Sequence, residues 1–304
     1  MPDVYVPESL EDAIGFLAGH AGAATPIAGG TDVLIDRRTG RIDPEWLVDL
    51  SPLGSLAGIT LHTATLRLGA LTRIRALELD AGLARRATAV VEAARVLGSV
   101  QIRTMATIGG NLCHATPSAE LPPALLVHDA VAEIVGPEGA RETPLAGLFA
   151  GPGRTTLEPG ELLTGVRATP STANGGSCYL RQTVRWSMDL AGVGVAASVE
   201  AEKGVARRAR IGLGAVAPVP MLALEAGTAV EGTEMSPDVL ENAGALAAAA
   251  CSPISDARGT ADYRRQVVAV LVARALRIAW LRATGSWPEG VLARQNGVLA
   301  EDGA

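Results

Sequence analysis

Short apolar runs, each stopped by glycine, proline or a polar cluster, set the pattern of the N-terminal half. Val4–Val6 reads as a short strand. Ser9 stands as an N-cap with Glu11 and Asp12 behind it, which predicts a helix to about Ala18, because acidic groups are favourable at the positive end of a helix. Ala24–Ala28 is a strand-like run that Gly29-Gly30-Thr31-Asp32 cuts off, and Leu47–Leu50 is another before a Pro/Gly turn. Leu61–Ala70 alternates weakly and fits a sheet, whereas Ala84–Leu97 carries an alanine-rich helical pattern. The segment after it ends at Gly109-Gly110-Asn111. Ala119–His128 is apolar and helical, with Pro122 and Pro123 tolerated only near the first turn.

In the second half, Val131–Val135, Glu161–Arg167 and Ser177–Thr183 read as strands. Thr169–Gly176 is rich in Pro, Ser, Thr and Gly and is the candidate linker. Gly192–Glu200 and Val205–Val216 are strand-like runs separated by the polar turn Glu202-Lys203-Gly204. Helices come next over Pro237–Ala250 and Ala261–Arg282, the second with arginines on its polar face, and Val291–Ala304 reads as a frayed tail.

Composition narrows the function. A chain of 304 residues is long enough for two domains, and 48% apolar residues can bury a substantial core. Aromatics are only 3%, too few for base-stacking platforms, and a net charge of -6 leaves no basic excess for phosphates of a nucleic acid. Cys113, Cys178 and Cys251 are scattered and odd in number, which argues against a disulfide framework. Three thiolates are also one short of an all-cysteine iron–sulfur cluster. His20, His62, His114 and His128 form no zinc-type cluster, so no metal site is expected. The N-terminus lacks the basic and apolar regions of a signal peptide, and no run reaches about 18 uninterrupted apolar residues. A soluble, cytoplasmic protein without a membrane span is the expectation.

Two loops carry candidate chemistry. In Pro26-Ile27-Ala28-Gly29-Gly30-Thr31-Asp32 a strand ends, two glycines permit unusual backbone angles, and a hydroxyl and a carboxylate come after them. Successive N–H groups in such a turn form a concavity for anions. Ala106-Thr107-Ile108-Gly109-Gly110-Asn111 repeats those parts ahead of a helix, whose N-terminus favours negative charge. Two such loops suit two linked phosphates. A lone glycine pair of this kind after a strand is usually an ordinary turn; two in one chain bring the ligand-binding reading level with that one, and composition and spacing take it no further. Gly192–Ala197 and Gly212–Ala217 match the GxGxxG/A string of dinucleotide-binding folds but lack the strand-then-helix setting, so neither is taken as a nucleotide site.

The wording and order of the two loops resemble the FAD-binding subunits of molybdenum hydroxylases, typified by the medium subunit of carbon monoxide dehydrogenase and the flavin domain of xanthine dehydrogenase. PIAGGTDVLI and QIRTMATIGGNLCHATPSAELPPALL carry the likeness, joined by YLRQTVRWSMDLAGVGVAA and ADYRRQVVAVLVARAL, so that it spans roughly Val4 to Arg282. The resemblance implies an α+β fold: a two-lobed FAD-binding domain of the PCMH/VAO-like kind over residues 1–170, with lobes of about 1–55 and 56–170. A smaller α+β domain with an antiparallel sheet would occupy 171–290, ahead of the tail 291–304.

Carried over by position, Ile27, Ala28, Gly29, Gly30, Thr31, Asp32 and Val33 would wrap the cofactor's diphosphate and ribityl region. Thr107, Gly110 and Asn111 would form a second clamp, and His114 a polar contact. Glu120 stands where aspartate is usual as an acceptor for cofactor hydroxyls. Leu163 matches an apolar position lining the flavin, and Arg181 a position near the ring that is often lysine. Trp186 replaces a commonly basic residue, with an ordinary core aromatic as the other reading. The resemblance further implies a large molybdopterin-binding partner, a small 2Fe-2S partner, and electron transfer through FAD to an external acceptor, with no catalytic acid, base or nucleophile in this chain. A stand-alone FAD-dependent oxidoreductase and a flavin-free structural subunit are the rival readings.

Overall fold

The computed structural model describes residues 1–185, 188–288 and 291–293. Asp3–Tyr5, Trp46–Asp49 and Ala24–Ile27 form a small parallel sheet in that spatial order. The helix Leu10–Gly19 packs Ala13, Ile14 and Leu17 into the core of this lobe. Ser9 caps it as expected, its hydroxyl accepting from the Asp12 amide.

The second lobe is a five-stranded antiparallel sheet ordered Ile59–Leu61, Leu66–Gly69, Leu162–Ala168, Val131–Gly136, Gly139–Pro144. The expected single strand Leu61–Ala70 is a hairpin, with Ile59 opposite Leu68 and Leu61 opposite Leu66. The expected single helix Ala84–Leu97 is two, Ala81–Arg86 and Thr88–Val96, because the backbone breaks at Ala87 (φ -149, ψ 50). Gly139–Pro144 went unread since it is a mostly exposed edge strand with no apolar alternation. Leu121–Leu126 starts with both prolines in its first turn, where their missing N–H groups cost nothing.

The third unit is an antiparallel sheet ordered Gly175–Gln182, Val193–Glu202, Val205–Gly214, Met221–Leu222. Leu224–Val230, Pro237–Ala250 and Ala261–Ala283 accompany it, and the two longer helices share a core with the sheet. The first GxGxxG/A string runs into Val193–Glu202, and the second starts at the end of Val205–Gly214 and continues into the bend after it. Gly212 has a different purpose there: a Cβ would overlap the Pro123 carbonyl oxygen, so its absence lets Leu121–Leu126 lie against the sheet. Not all arginines of the last helix face solvent, because Arg264 and Arg282 turn inward.

The candidate linker is tied down. Thr169 N–H donates to His128 O (2.8 Å) and Ser171 N–H to Arg86 O (2.7 Å), and the next strand begins at Gly175. A buried ion pair then joins the second lobe to the third unit. Glu92 accepts from Arg282 Nη2 at 2.7 Å, from the Tyr179 amide at 2.8 Å and from the Ala293 amide at 2.6 Å. Those bonds also hold the first residues of the tail, so Val291–Ala293 are not frayed. The rest of the tail, 294–304, and Trp186 lie outside the described residues.

Candidate functional site

The first loop leaves the strand Ala24–Ile27 and enters a short helix, Val33–Arg38, which sequence reasoning missed because it buries no residue. Gly30 takes a positive φ of +69, open to glycine at little cost. Gly29 is constrained by contact instead: a Cβ there would overlap the carbonyl oxygen of Met105. That carbonyl lies just ahead of the second loop, so the two loops are packed backbone to backbone.

The second loop is stitched to the segment after Leu66–Gly69. Ile74 N–H donates to Ala106 O and Ile108 N–H to Thr72 O, both at 3.0 Å. Gly109 N–H donates to Ala70 O at 2.7 Å. Thr107 caps the helix Ile108–His114, its hydroxyl accepting from Gly110 N–H at 3.0 Å, and its carbonyl accepts from Asn111 N–H at 3.0 Å. Every amide from Ile108 to Asn111 is therefore engaged within the fold. In the first loop, by contrast, no N–H from Ala28 to Val33 donates a hydrogen bond among the described residues.

The expected symmetry of the two loops is thus corrected. The first presents open amides, which bind anions by direct donation. The second is closed, and its remaining offering is side chains. One of these is Asn111, whose Oδ1 is buried without a hydrogen-bond partner among the described residues. Such an atom costs free energy unless a ligand or water meets it.

A cleft of about 410 Å³ reaches both loops; Ala28 and Thr107 line it together with Ser51, Gly58, Thr72 and Arg73. His114 bridges the lobes, its Nε2 lying 3.3 Å from Asp36 Oδ2 on the helix after the first loop. Asp36 also pairs with Arg41 at 2.9 Å. Leu163 is buried on Leu162–Ala168 opposite Ile134, beside a β-bulge, within the core of the second lobe.

Glu120 and Arg181, read separately from the sequence, form one buried pair across the boundary between the second lobe and the third unit. Arg181 Nη1 donates to Glu120 Oε1 at 2.7 Å and to Asp189 O at 3.0 Å. Burial pushes the Glu120 carboxyl up to about 7, against the opposing pull of the Arg181 charge. Burial also raises the Cys113 thiol, to about 12, which disfavours its thiolate. No group of three or more His, Cys, Asp or Glu residues that could hold a metal ion occurs among the described residues.

The residues present fit a dinucleotide: open amides on one loop, an orphaned buried amide oxygen on the other, and a cleft reaching both. Sequence reasoning missed Arg73 and the cleft wall around Ser51 and Gly58, since nothing in their local pattern differs from ordinary turns.

Comparison with known proteins agrees with this geometry. Residues 1–168 match the model of the FAD binding domain in molybdopterin dehydrogenase, and residues 178–279 that of the CO dehydrogenase flavoprotein C-terminal domain. The carbon monoxide dehydrogenase medium chain of Afipia carboxidovorans is 35% identical over 92% of this chain and 97% of its own. The putative xanthine dehydrogenase FAD-binding subunit of Escherichia coli K12 is 31% identical over 91% and 95%. Among solved structures, reconstituted CO dehydrogenase from Oligotropha carboxidovorans superposes with a TM-score of 0.90 at 34% identity, covering 93% of this chain and 98% of that one. Quinoline 2-oxidoreductase from Pseudomonas putida 86 gives 0.86 at 26%, covering 94% and 98%.

Proposed function

Because the chain belongs to the family of FAD binding domains in molybdopterin dehydrogenases, we propose that it is the electron-passing FAD subunit of a heteromeric molybdenum hydroxylase. The single observation that carries the FAD assignment to specific atoms is the open run of amides from Ala28 to Val33, packed against a second glycine loop beside a shared cleft. When bound, FAD supplies a centre able to exchange electrons singly or in pairs.

The chain's own residues bind and orient. Ile27 positions the first loop by ending its strand, and Ala28, Gly29, Gly30, Thr31, Asp32 and Val33 hold the diphosphate side. Thr107, Gly110 and Asn111 close the other side, and His114 fastens the two lobes through Asp36. Glu120 and Arg181 hold a polar pair at the flavin end, with Leu163 as apolar backing. None of these groups needs to abstract or deliver a proton to an organic substrate.

Residues 1–170 serve as the FAD-binding domain, with lobes of about 1–55 and 56–170, and 171–290 as the C-terminal domain. The partners are a large molybdopterin-binding subunit and a small 2Fe-2S subunit in the cytoplasm; electrons pass from the clusters through FAD to an external acceptor. The similarity to medium chains supports this. No helix among the described residues is long and apolar enough to cross a membrane.

The test is the visible absorption spectrum of the purified chain, with chromatography of any released cofactor and identification of co-purifying proteins. FAD near one per chain with two partners, one carrying iron and sulfide and one molybdenum, is the expected outcome. FAD with no partner and direct turnover of a small molecule would point to a stand-alone oxidoreductase. No flavin after incubation with excess FAD would leave a structural subunit.

A further inference from the structure

The glycine loops bring no positive charge to a cofactor that carries two linked phosphates. The first loop contributes Asp32, which is negative, and the second contributes no charged residue between Ala106 and Asn111. Backbone amides alone would have to balance the diphosphate, and four of those on the second loop are engaged internally.

One residue lining the cleft is cationic: Arg73. It comes after the strand Leu66–Gly69 and sits directly across from Thr107 in a β-bridge. Its Nη1 donates to the carbonyl oxygen of Met105, the same atom that Gly29 approaches so closely that no Cβ fits. The guanidinium is thereby fixed at the seam where the two loops meet. Among the described residues it pairs with no carboxylate, and its other N–H groups have no acceptor. A half-buried arginine, held by one hydrogen bond and otherwise uncommitted, is well suited to a phosphate, because its planar fork donates two parallel bonds.

We propose that Arg73 is the cation that binds the diphosphate of FAD in the cleft, a specificity-determining contact for a dinucleotide over a flavin lacking phosphates. This rests on the assignment of FAD to the two loops. Arg73 acts with the open amides of the first loop: they donate from one side of the seam and the guanidinium from the other. The closed second loop then serves to hold Arg73 in place, through the bonds that tie Thr72 and Ile74 to Ile108 and Ala106.

The test is FAD affinity of the full chain, stripped of cofactor, over a series of salt concentrations. Wild type, Arg73→Gln, Arg73→Lys and Arg95→Gln would be compared; the last removes the same charge from an exposed position outside the cleft. Arg73→Gln is expected to weaken FAD binding by roughly 10-fold to 100-fold at low salt and to flatten its salt dependence. Arg73→Lys should recover part of the affinity and the salt dependence, and Arg95→Gln should match wild type. Wild-type affinity in Arg73→Gln would overturn the proposal. So would a loss with the wild-type salt dependence retained, because that is the mark of a purely structural role through Met105. Failure of wild type itself to bind FAD would instead sink the assignment of FAD, and Arg73 with it. Thermal melting of each apo variant separates unfolding from lost contact, and the lysine variant keeps the comparison readable if the glutamine variant melts early.

Discussion

The two double-glycine loops are spelled almost alike, yet their backbones do opposite work. Around Gly29 and Gly30, the amides from Ala28 to Val33 donate no hydrogen bond among the described residues, whereas around Gly109 and Gly110 the four amides from Ile108 to Asn111 bond back into the fold. The difference comes from where a helix starts relative to each pair. Val33–Arg38 begins three residues after Gly30 and buries nothing, so no neighbouring strand or cap takes up the preceding N–H groups. Ile108–His114 begins just before the glycines, with a threonine cap and the Ala70–Thr72 carbonyls as partners. One glycine pair leaves a run of amides open, and the other lets a helix lie against the segment that leaves Leu66–Gly69. A shared string of letters does not mean a shared function.

Four substitutions probe that contrast and its surroundings. The largest effect is expected from Gly29→Ala, which drives a methyl group into backbone that cannot yield. Thermal melting should report a loss of about 1–3 kcal/mol, and FAD affinity should fall at least about tenfold. Next, Thr107→Ala removes the cap that closes the second loop and should cost about 1 kcal/mol by denaturant titration.

The Glu120–Arg181 pair gives a third, pH-dependent effect. Burial raises the folded-state pKa of Glu120 from 4.5 to about 7, so the folded protein holds a proton that the unfolded chain has already released. That contribution is complete below the unfolded value and is lost as pH rises through about 7. Wild type should therefore lose stability relative to Glu120→Gln between about pH 4.5 and pH 7, read as a melting-temperature difference that moves against wild type. The opposite slope would mean that Arg181 keeps the carboxylate ionised throughout.

The smallest effect belongs to Gly110→Ala. Its Cβ would meet only the Thr107 hydroxyl, at 3.1 Å, and alanine favours the helix. Stability should stay within about 0.5 kcal/mol of wild type. A drop in FAD affinity without a drop in melting temperature would mark Gly110 as lying against the cofactor.

Much of the fold was legible because the strands that build its sheets alternate or run apolar, as Val205–Gly214 does, and because Ser9 and the prolines at 122 and 123 mark helix starts. Gly139–Pro144 and Val33–Arg38 were not, for a common reason: neither buries enough apolar surface to leave a period. The split at Ala87 was hidden because alanine reads as helix former while the backbone there leaves the helical region. At the site, the residues of both loops were readable from their phrases. The engagement of the amides of Ile108 and Gly109 was not, since it depends on the carbonyls of Thr72 and Ala70, distant in the sequence; those of Gly110 and Asn111 are taken up by the neighbouring Thr107. Glu120 and Arg181 were read as two contacts, and only the packing of the third unit's sheet against Leu121–Leu126 makes them one pair.

Amide hydrogen exchange, with and without saturating FAD, tests the central claim most directly. Unpaired surface amides exchange fast and bonded ones slowly. The account predicts that Ala28–Val33 exchange quickly in the apo chain and gain strong protection with FAD, while Ile108–Asn111 are protected in both states. Protection gained at Ile108–Asn111 with Ala28–Val33 unchanged would contradict it.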